Sequence, residues 1–349
     1  MAIENMADPA KTFAFIGLGV MGYPMAVNLR KGLSSEYTLL ICDVNKDAIA
    51  KFQKQMEGQG PIEVVENGME AVKRANMVIT MLPNSSAVKT VYLDPQTGLI
   101  PTALTLSNPT FPRHKILMEC GTIETATILA VADAVNSSPT SPVSATRKHE
   151  HDDWVRRSAE LTFVDAPVSG GPMGAEDGTL TFMVGAAEKE SFEKVKGALK
   201  YMGKEDSVFH CGDVGSGTAF KIINNYLSAI TSLAASEALN IGAKMGLDLK
   251  LLTDVINVSG GQCWVTSKSN PVPGVQANVP SSRGYEGGFR IELCEKVLKM
   301  GSELARDVGA RTVLDGPALE AFKEAREDER YKGKDARVVY KWLNESERK

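Results

Sequence analysis

Between residues 11 and 212 the chain alternates short, nearly unbroken apolar runs with amphipathic stretches. KTFAFIG from Lys11, YTLLICD from Tyr37, ANMVITMLP from Ala75 and HKILMECG from His114 are runs of this kind. LTFVDAP from Leu161, TLTFMVG from Thr179 and DSVFHCG from Asp206 resume the pattern. A strand that is apolar at nearly every position is buried on both faces, as in a parallel sheet covered by helices. The segments between, such as NKDAIAKFQKQM from Asn45, have helical periods. The alternation predicts an open, doubly wound α/β sheet.

After Gly217 the pattern changes. AFKIINNYLSAITSLAASEALNIGAKMG is one long helical stretch without a breaker, and helical periods follow at Leu249–Val258, Arg290–Val308 and Leu314–Arg330. Glycines punctuate Gly212–Gly217, which places a domain boundary there. The expected organisation is an α/β domain over residues 1–213 and an all-α domain over 214–349. Two stretches near 101–113 and 136–153 are rich in Ser, Thr and Pro and are expected to be surface insertions.

Composition excludes several classes. Lys plus Arg number 39 against 43 Asp plus Glu, so no basic field exists to hold a nucleic acid or an anionic membrane. No apolar run approaches the length of a membrane span. The five cysteines are scattered and form no C-x-x-C pair, which predicts free thiols and no structural metal. His149, His151, Asp152 and Asp153 sit in the second insertion and read as a solvated loop rather than a metal site. The start, MAIENMADPAKT, lacks the features of a secretory or mitochondrial leader, so a cytoplasmic location is expected.

FIGLGVMG places Gly17, Gly19 and Gly22 in G-x-G-x-x-G spacing between a strand and a helix-capable run. A second strand ends in Asp43, 21 positions beyond Gly22. This is the context of a Rossmann-type dinucleotide site. Gly17 permits the tight turn, Gly19 admits a pyrophosphate, and Gly22 lets helix and strand pack closely. The helix N-terminus offers free N–H groups to the phosphates. A carboxylate at Asp43 accepts from ribose hydroxyls and repels a 2′-phosphate, which favours NAD over NADP.

Two further constellations carry chemistry. Ser169, Gly170 and Gly171 form a polar turn after a strand, able to aim a hydroxyl and bare N–H groups at a carboxylate, or simply to turn the chain. Lys221 and Asn225 lie four apart on the long helix and share a face among Phe220, Ile222 and Ile223. A buried lysine loses proton affinity and can serve as a base near neutral pH. The other reading is a lysine that snorkels to solvent from the helix start.

Together, FIGLGVMGYPMAVNL, DAPVSGGPMGAEDGTLTFMVG and GSGTAFKIINNYL resemble the cofactor, substrate and catalytic motifs of the β-hydroxyacid dehydrogenases. The resemblance covers nearly the whole chain. The segment Gly260 to Phe289 narrows it to the branch that acts on 3-hydroxyisobutyrate in valine breakdown. It implies NAD-linked oxidation of a small hydroxy acid in a cleft between the two domains, in a homo-oligomer. By that resemblance Lys221 is the base, Asn225 orients the substrate, and Ser169, Gly170 and Gly171 hold its carboxylate. Gly17, Leu18, Gly19, Val20, Met21, Gly22, Asp43, Leu82, Pro83, Thr122 and Lys296 bind the cofactor. Animal members of that branch are mitochondrial, so the resemblance opens that location too.

Departures from the family are Val297 after Lys296, where Asp is usual, Ala87 for Asn, and Gly121 for Ser before Thr122. Rival readings are a member that reduces glyoxylate or tartronate semialdehyde, one that oxidises serine, and a non-catalytic NAD-binding protein.

Overall fold

The apolar runs become strands of one sheet. A computed structural model describes residues 8–105, 114–137 and 160–346. The strands are β1 (Thr12–Ile16), β2 (Thr38–Cys42), β3 (Ile62–Val64), β4 (Met77–Thr80), β5 (His114–Glu119), β6 (Glu160–Asp165), β7 (Val168–Ser169), β8 (Leu180–Gly185) and β9 (Gly203–Gly212). Their order is β3-β2-β1-β4-β5-β6-β8-β7, with β9 on β8. The first six neighbours run parallel, and β8 is antiparallel to β6 and β7. The order 3-2-1-4-5-6 is that of a dinucleotide-binding sheet, with the chain reversing direction between β1 and β4.

Helices cover both faces: α1 (Gly22–Gly32), α2 (Lys46–Gln55), α3 (Gly68–Arg74), α4 (Ser85–Leu93), α5 (Leu99–Thr105), α6 (Thr125–Asn136), α7 (Gly171–Glu176) and α8 (Lys189–Leu199). Alternate residues of each strand serve opposite cores. Phe15, Leu39, Ile41, Ile79 and Met118 join one cluster with Met25, Phe52 and Val195. Ala14, Leu40, Val78 and Leu117 join the other with Val72, Val88 and Ile128. Burying one such Leu or Ile contributes roughly 1.5–3 kcal/mol, which explains why β2 is buried at all five positions.

Three asparagines at the carboxyl ends of strands start the next helices. Asn45 Oδ1 accepts from the N–H of Asp47 and Ala48, Asn67 Oδ1 from Glu70, and Asn84 Oδ1 from Ala87. Each cap is worth about 1 kcal/mol. At the other edge, Arg30 is fully buried on α1. Its guanidinium donates to the carbonyls of Tyr37 (2.6 Å), Ser34 (2.8 Å), Leu33 (3.0 Å) and Pro61 (3.5 Å).

By packing, the chain divides into two compact units, Met1–Lys221 and Ile222–Lys349. The long helix α9 (Ser216–Lys244) therefore contains the division, later than the glycine punctuation at 212–217 suggested. The second unit adds α10 (Leu249–Asn257), α11 (Trp264–Lys268), α12 (Ile291–Asp307), α13 (Asp315–Glu327) and α14 (Val339–Glu345). Among its described residues the only β pairing is an isolated bridge between Arg290 and Asp335. Ile291, Leu298, Phe322 and Tyr331 form its main core.

The distinctive segment before Phe289 is held from within. Asn270 is buried, donates to Thr253 Oγ1 and accepts from the N–H of Val272, while the Ser281 hydroxyl donates to the Asn270 carbonyl at 2.6 Å.

The structure corrects one expected insertion. Pro101–Thr105 continues α5, with Ile100 and Ala103 buried, because an apolar face decides over Ser/Thr/Pro content and proline is tolerated in a first helical turn. Asn136 ends α6. Residues 106–113 and 138–159, including His149, His151, Asp152 and Asp153, lie outside the described residues.

Candidate active site

The glycine turn is built as a close-packed cradle. Gly17 adopts φ +100°, and a Cβ there would lie 2.4 Å from the Met81 carbonyl oxygen. A Cβ on Gly22 would lie 1.9 Å from the Gly17 carbonyl oxygen. These two glycines are therefore demanded by packing between the turn, α1 and β4. Gly19 differs: a Cβ there meets nothing within 4 Å. The N–H groups of Gly19, Val20 and Met21 make no hydrogen bond among the described residues, and Met21 caps α1 without a side-chain bond. Open space over unpaired N–H groups at a helix start is what a pyrophosphate requires.

Asp43 follows β2 and locks this cradle. Its Oδ2 accepts from the Leu18 N–H, and its Oδ1 from the Asn45 N–H at 2.7 Å. The carboxylate thus rests against the turn and retains lone pairs for ribose hydroxyls. The residues present fit a dinucleotide.

Two neighbouring loops complete this edge. Leu82 is buried and Pro83 exposed after β4; Thr122 is half-buried after β5. Both loops reach a carboxylate that the sequence reading overlooked. Glu119 is fully buried and accepts from the N–H of Gly121 at 2.7 Å. Burial pushes it up to about 7. A lone acid inside an apolar strand run was the available signal, because an unpaired buried carboxylate is costly.

Ser169 ends β7, paired with Thr181 of β8. Gly170 and Gly171 follow at φ +137° and +64°, and a Cβ on Gly171 would meet nothing within 4 Å. The Ser169 hydroxyl makes no hydrogen bond among the described residues. Four residues earlier in the same motif, Asp165 is buried, with Oδ1 accepting from the Gly215 N–H (2.7 Å) and Oδ2 from the Thr218 N–H (2.6 Å). The turn and the first turn of α9 are joined through this one motif.

Lys221 follows one helical turn after Thr218. It is 8% exposed, and its Nζ donates no hydrogen bond among the described residues. Desolvation lowers it to about 8. The snorkelling alternative therefore does not hold. Asn225, half-buried, lies one turn further on α9, and its Oδ1 accepts a 3.5 Å bond from Asn224. Lys296 is half-buried on α12. Its neighbour Val297 packs with Ile222 and Met300, so the position where the family carries Asp is here a core position.

A dinucleotide-binding sheet followed by a helical unit, with a desolvated lysine at the start of its long helix, defines a NAD-dependent oxidoreductase. Residues 12–145 and 133–212 match the family described as the NAD binding domain of 6-phosphogluconate dehydrogenase. Residues 215–343 match the one described as NAD-binding of NADP-dependent 3-hydroxyisobutyrate dehydrogenase. The chain is 36% identical over 340 residues to the probable mitochondrial 3-hydroxyisobutyrate dehydrogenase of Dictyostelium discoideum, covering 97% of this chain and 92% of that protein. It is 34% identical over 313 residues to the NAD-dependent L-serine dehydrogenase of Pseudomonas aeruginosa, covering 90% and 91%. The solved structure of the Mycobacterium tuberculosis 3-hydroxyisobutyrate dehydrogenase with L-serine is similar at a TM-score of 0.76 and 28% identity, covering 95% of this chain and 99% of that one. The chain belongs to the β-hydroxyacid dehydrogenase family.

Proposed function

We propose that the chain oxidises 3-hydroxyisobutyrate to methylmalonate semialdehyde with NAD, in the breakdown of valine, with Lys221 as the general base. The observation that carries this reading is Lys221 itself: buried, without a hydrogen-bond partner among the described residues, and lowered to about 8. An alcohol loses two hydrogens on oxidation. NAD supplies the acceptor for the hydride on the carbinol carbon. Lys221 Nζ, in its neutral form, takes the hydroxyl proton.

Ser169, Gly170 and Gly171 hold the substrate carboxylate in this reading, and Asn225 orients its hydroxyl. Gly17, Leu18, Gly19, Val20, Met21 and Gly22 bind the pyrophosphate side of the cofactor. Asp43 takes the ribose hydroxyls and selects NAD over NADP, while Leu82, Pro83, Thr122 and Lys296 border the rest. Initial rates of NADH formation over a panel of hydroxy acids, with NADP in parallel and Lys221→Ala as the blank, test the whole scheme. Comparable rates across the panel would remove the substrate assignment. Unchanged behaviour of the variant would favour a non-catalytic NAD-binding protein.

L-Serine is the second reading, supported by the name of the Pseudomonas relative and by the L-serine in the Mycobacterium structure. It presents the same carboxylate and primary alcohol, with an ammonium group in place of the methyl. The same panel separates the two.

We also propose that a second copy of the chain covers the apolar face of α9 and α10. Ile223, Leu227, Ile241 and Met245 on α9, and Leu251 and Val255 on α10, are all exposed. Six large apolar side chains exposed along two helices are a surface that a partner copy would remove from water. Sedimentation of the purified chain as a monomer would remove this assignment.

A further inference from the structure

Glu119 connects the backbones of two loops. Its Oε1 accepts from the Gly121 N–H at 2.7 Å and from the Leu82 N–H at 3.5 Å. Its Oε2 is held by the Thr80 hydroxyl, which in turn meets the Tyr92 hydroxyl at 2.7 Å. One carboxylate thus reaches the loop after β4, with Leu82 and Pro83, and the loop after β5, with Gly121 and Thr122. Gly121 makes room for it. A Cβ there would lie 2.6 Å from Glu119 Oε1 and 2.6 Å from the Leu82 carbonyl oxygen.

We propose that Glu119 is a positioning residue whose ionised carboxylate clamps the Leu82–Pro83 loop to the Gly121–Thr122 loop and thereby sets the affinity for NAD. This rests on the reading that these two loops border the cofactor. Glu119 touches neither cofactor nor substrate in this scheme.

The physical argument is one of acceptor strength. Bonds from N–H groups to a charged carboxylate are shorter and roughly twice as strong as those to a neutral group. Burial holds Glu119 near about 7, while the bonds from Thr80, Gly121 and Leu82 favour its charged form. A proton taken up from solvent on Oε2 turns that oxygen into a donor to Thr80. The Thr80 hydroxyl then turns to the Met118 carbonyl, 3.2 Å away. The two N–H bonds weaken and the loops are less firmly joined.

The titratable neighbours do not compete. The Tyr92 hydroxyl from α4 and the Cys120 thiol beside it are both pushed well up by burial and stay neutral. Asp165, the partner of Glu119 across β5 and β6, directs its carboxylate to Gly215 and Thr218. Lys115 lies earlier on β5, where burial lowers it to about 8, and its Nζ donates to the Ala75 carbonyl rather than to Glu119.

The test is NAD binding without substrate, followed by fluorescence from about pH 5.5 to about pH 8.5. The full chain, Glu119→Gln and Thr80→Val are compared, with thermal melts as the check on folding. The expected result for the full chain is a Kd about tenfold weaker at the acid end. Glu119→Gln removes the pH dependence and stays at the weaker value. Thr80→Val, which loses one donor to the charged form, moves the midpoint to higher pH. A folded Glu119→Gln that keeps the full pH dependence overturns the proposal, as does a full chain that binds NAD equally at every pH. If Glu119→Gln does not fold, an unmoved midpoint in Thr80→Val overturns it. A full chain that binds no NAD at all overturns instead the cofactor reading beneath it.

Discussion

Asp165 Oδ2 accepts a 2.6 Å hydrogen bond from the N–H of Thr218, one turn ahead of Lys221. Its other oxygen takes the Gly215 N–H at 2.7 Å. A carboxylate at the end of β6 therefore caps the helix that carries the proposed base, from a distance of 53 residues in sequence. Burial raises Asp165, and the backbone bonds offset part of that rise. Asp165→Ala would strand two buried N–H groups, at roughly 1–3 kcal/mol each. A loss of several degrees in Tm with a fall in kcat is expected. Differential scanning calorimetry and steady-state rates check it.

Lys221 links stability to activity in opposite directions. Its folded value, about 8, lies below the ordinary 10.5. The folded state thus sheds its proton first, and stability rises with pH between those two values. Below about 8 the charge is buried at a cost of about 3 kcal/mol. Lys221→Met is expected to be more stable than the parent at neutral pH. The gain should vanish above about pH 10.5. The same variant should lose about a hundredfold or more in kcat while still binding NAD. Parent turnover should rise with pH and level off above about 8, as the lysine becomes neutral.

Gly19 and Gly22 predict contrasting outcomes for one added methyl group. Gly22→Ala drives a Cβ into the Gly17 carbonyl and should cost about 1–3 kcal/mol or more, along with NAD binding. Gly19→Ala places its Cβ in open space. That variant should melt like the parent yet bind NAD at least about tenfold more weakly, because the methyl occupies the proposed pyrophosphate approach. Thermal melts beside NAD titrations decide between these outcomes.

Asp43→Asn keeps an acceptor for the Leu18 N–H and removes the charge that opposes a 2′-phosphate. The ratio of kcat/KM for NAD over NADP should fall by about tenfold or more. An unchanged ratio would assign cofactor choice to other residues.

The sheet was legible because parallel strands buried on both faces leave continuous apolar runs, as at β2 and β5. β3 and β7 were not, since three and two residues hold too little pattern to separate from a loop. The glycine cradle and Asp43 were found through their spacing. Lys221 was found by type and place, but its desolvation depends on packing that no linear pattern contains. Glu119 and Asp165 escaped for a related reason. Each is a single acid at the end of an apolar run, and only the fold reveals the N–H groups that each one satisfies. Pro101–Thr105 misled because Ser/Thr/Pro content outweighed the apolar spacing of Leu99, Ile100 and Ala103.

Arg30 has a practical consequence. Four carbonyls occupy its guanidinium, and no part of it is exposed. A dicarbonyl reagent that labels surface arginines can reach it only after the junction between α1 and β2 has come apart. The rate at which Arg30 is labelled is therefore a clock for that opening, readable by mass spectrometry in a molecule that otherwise remains native.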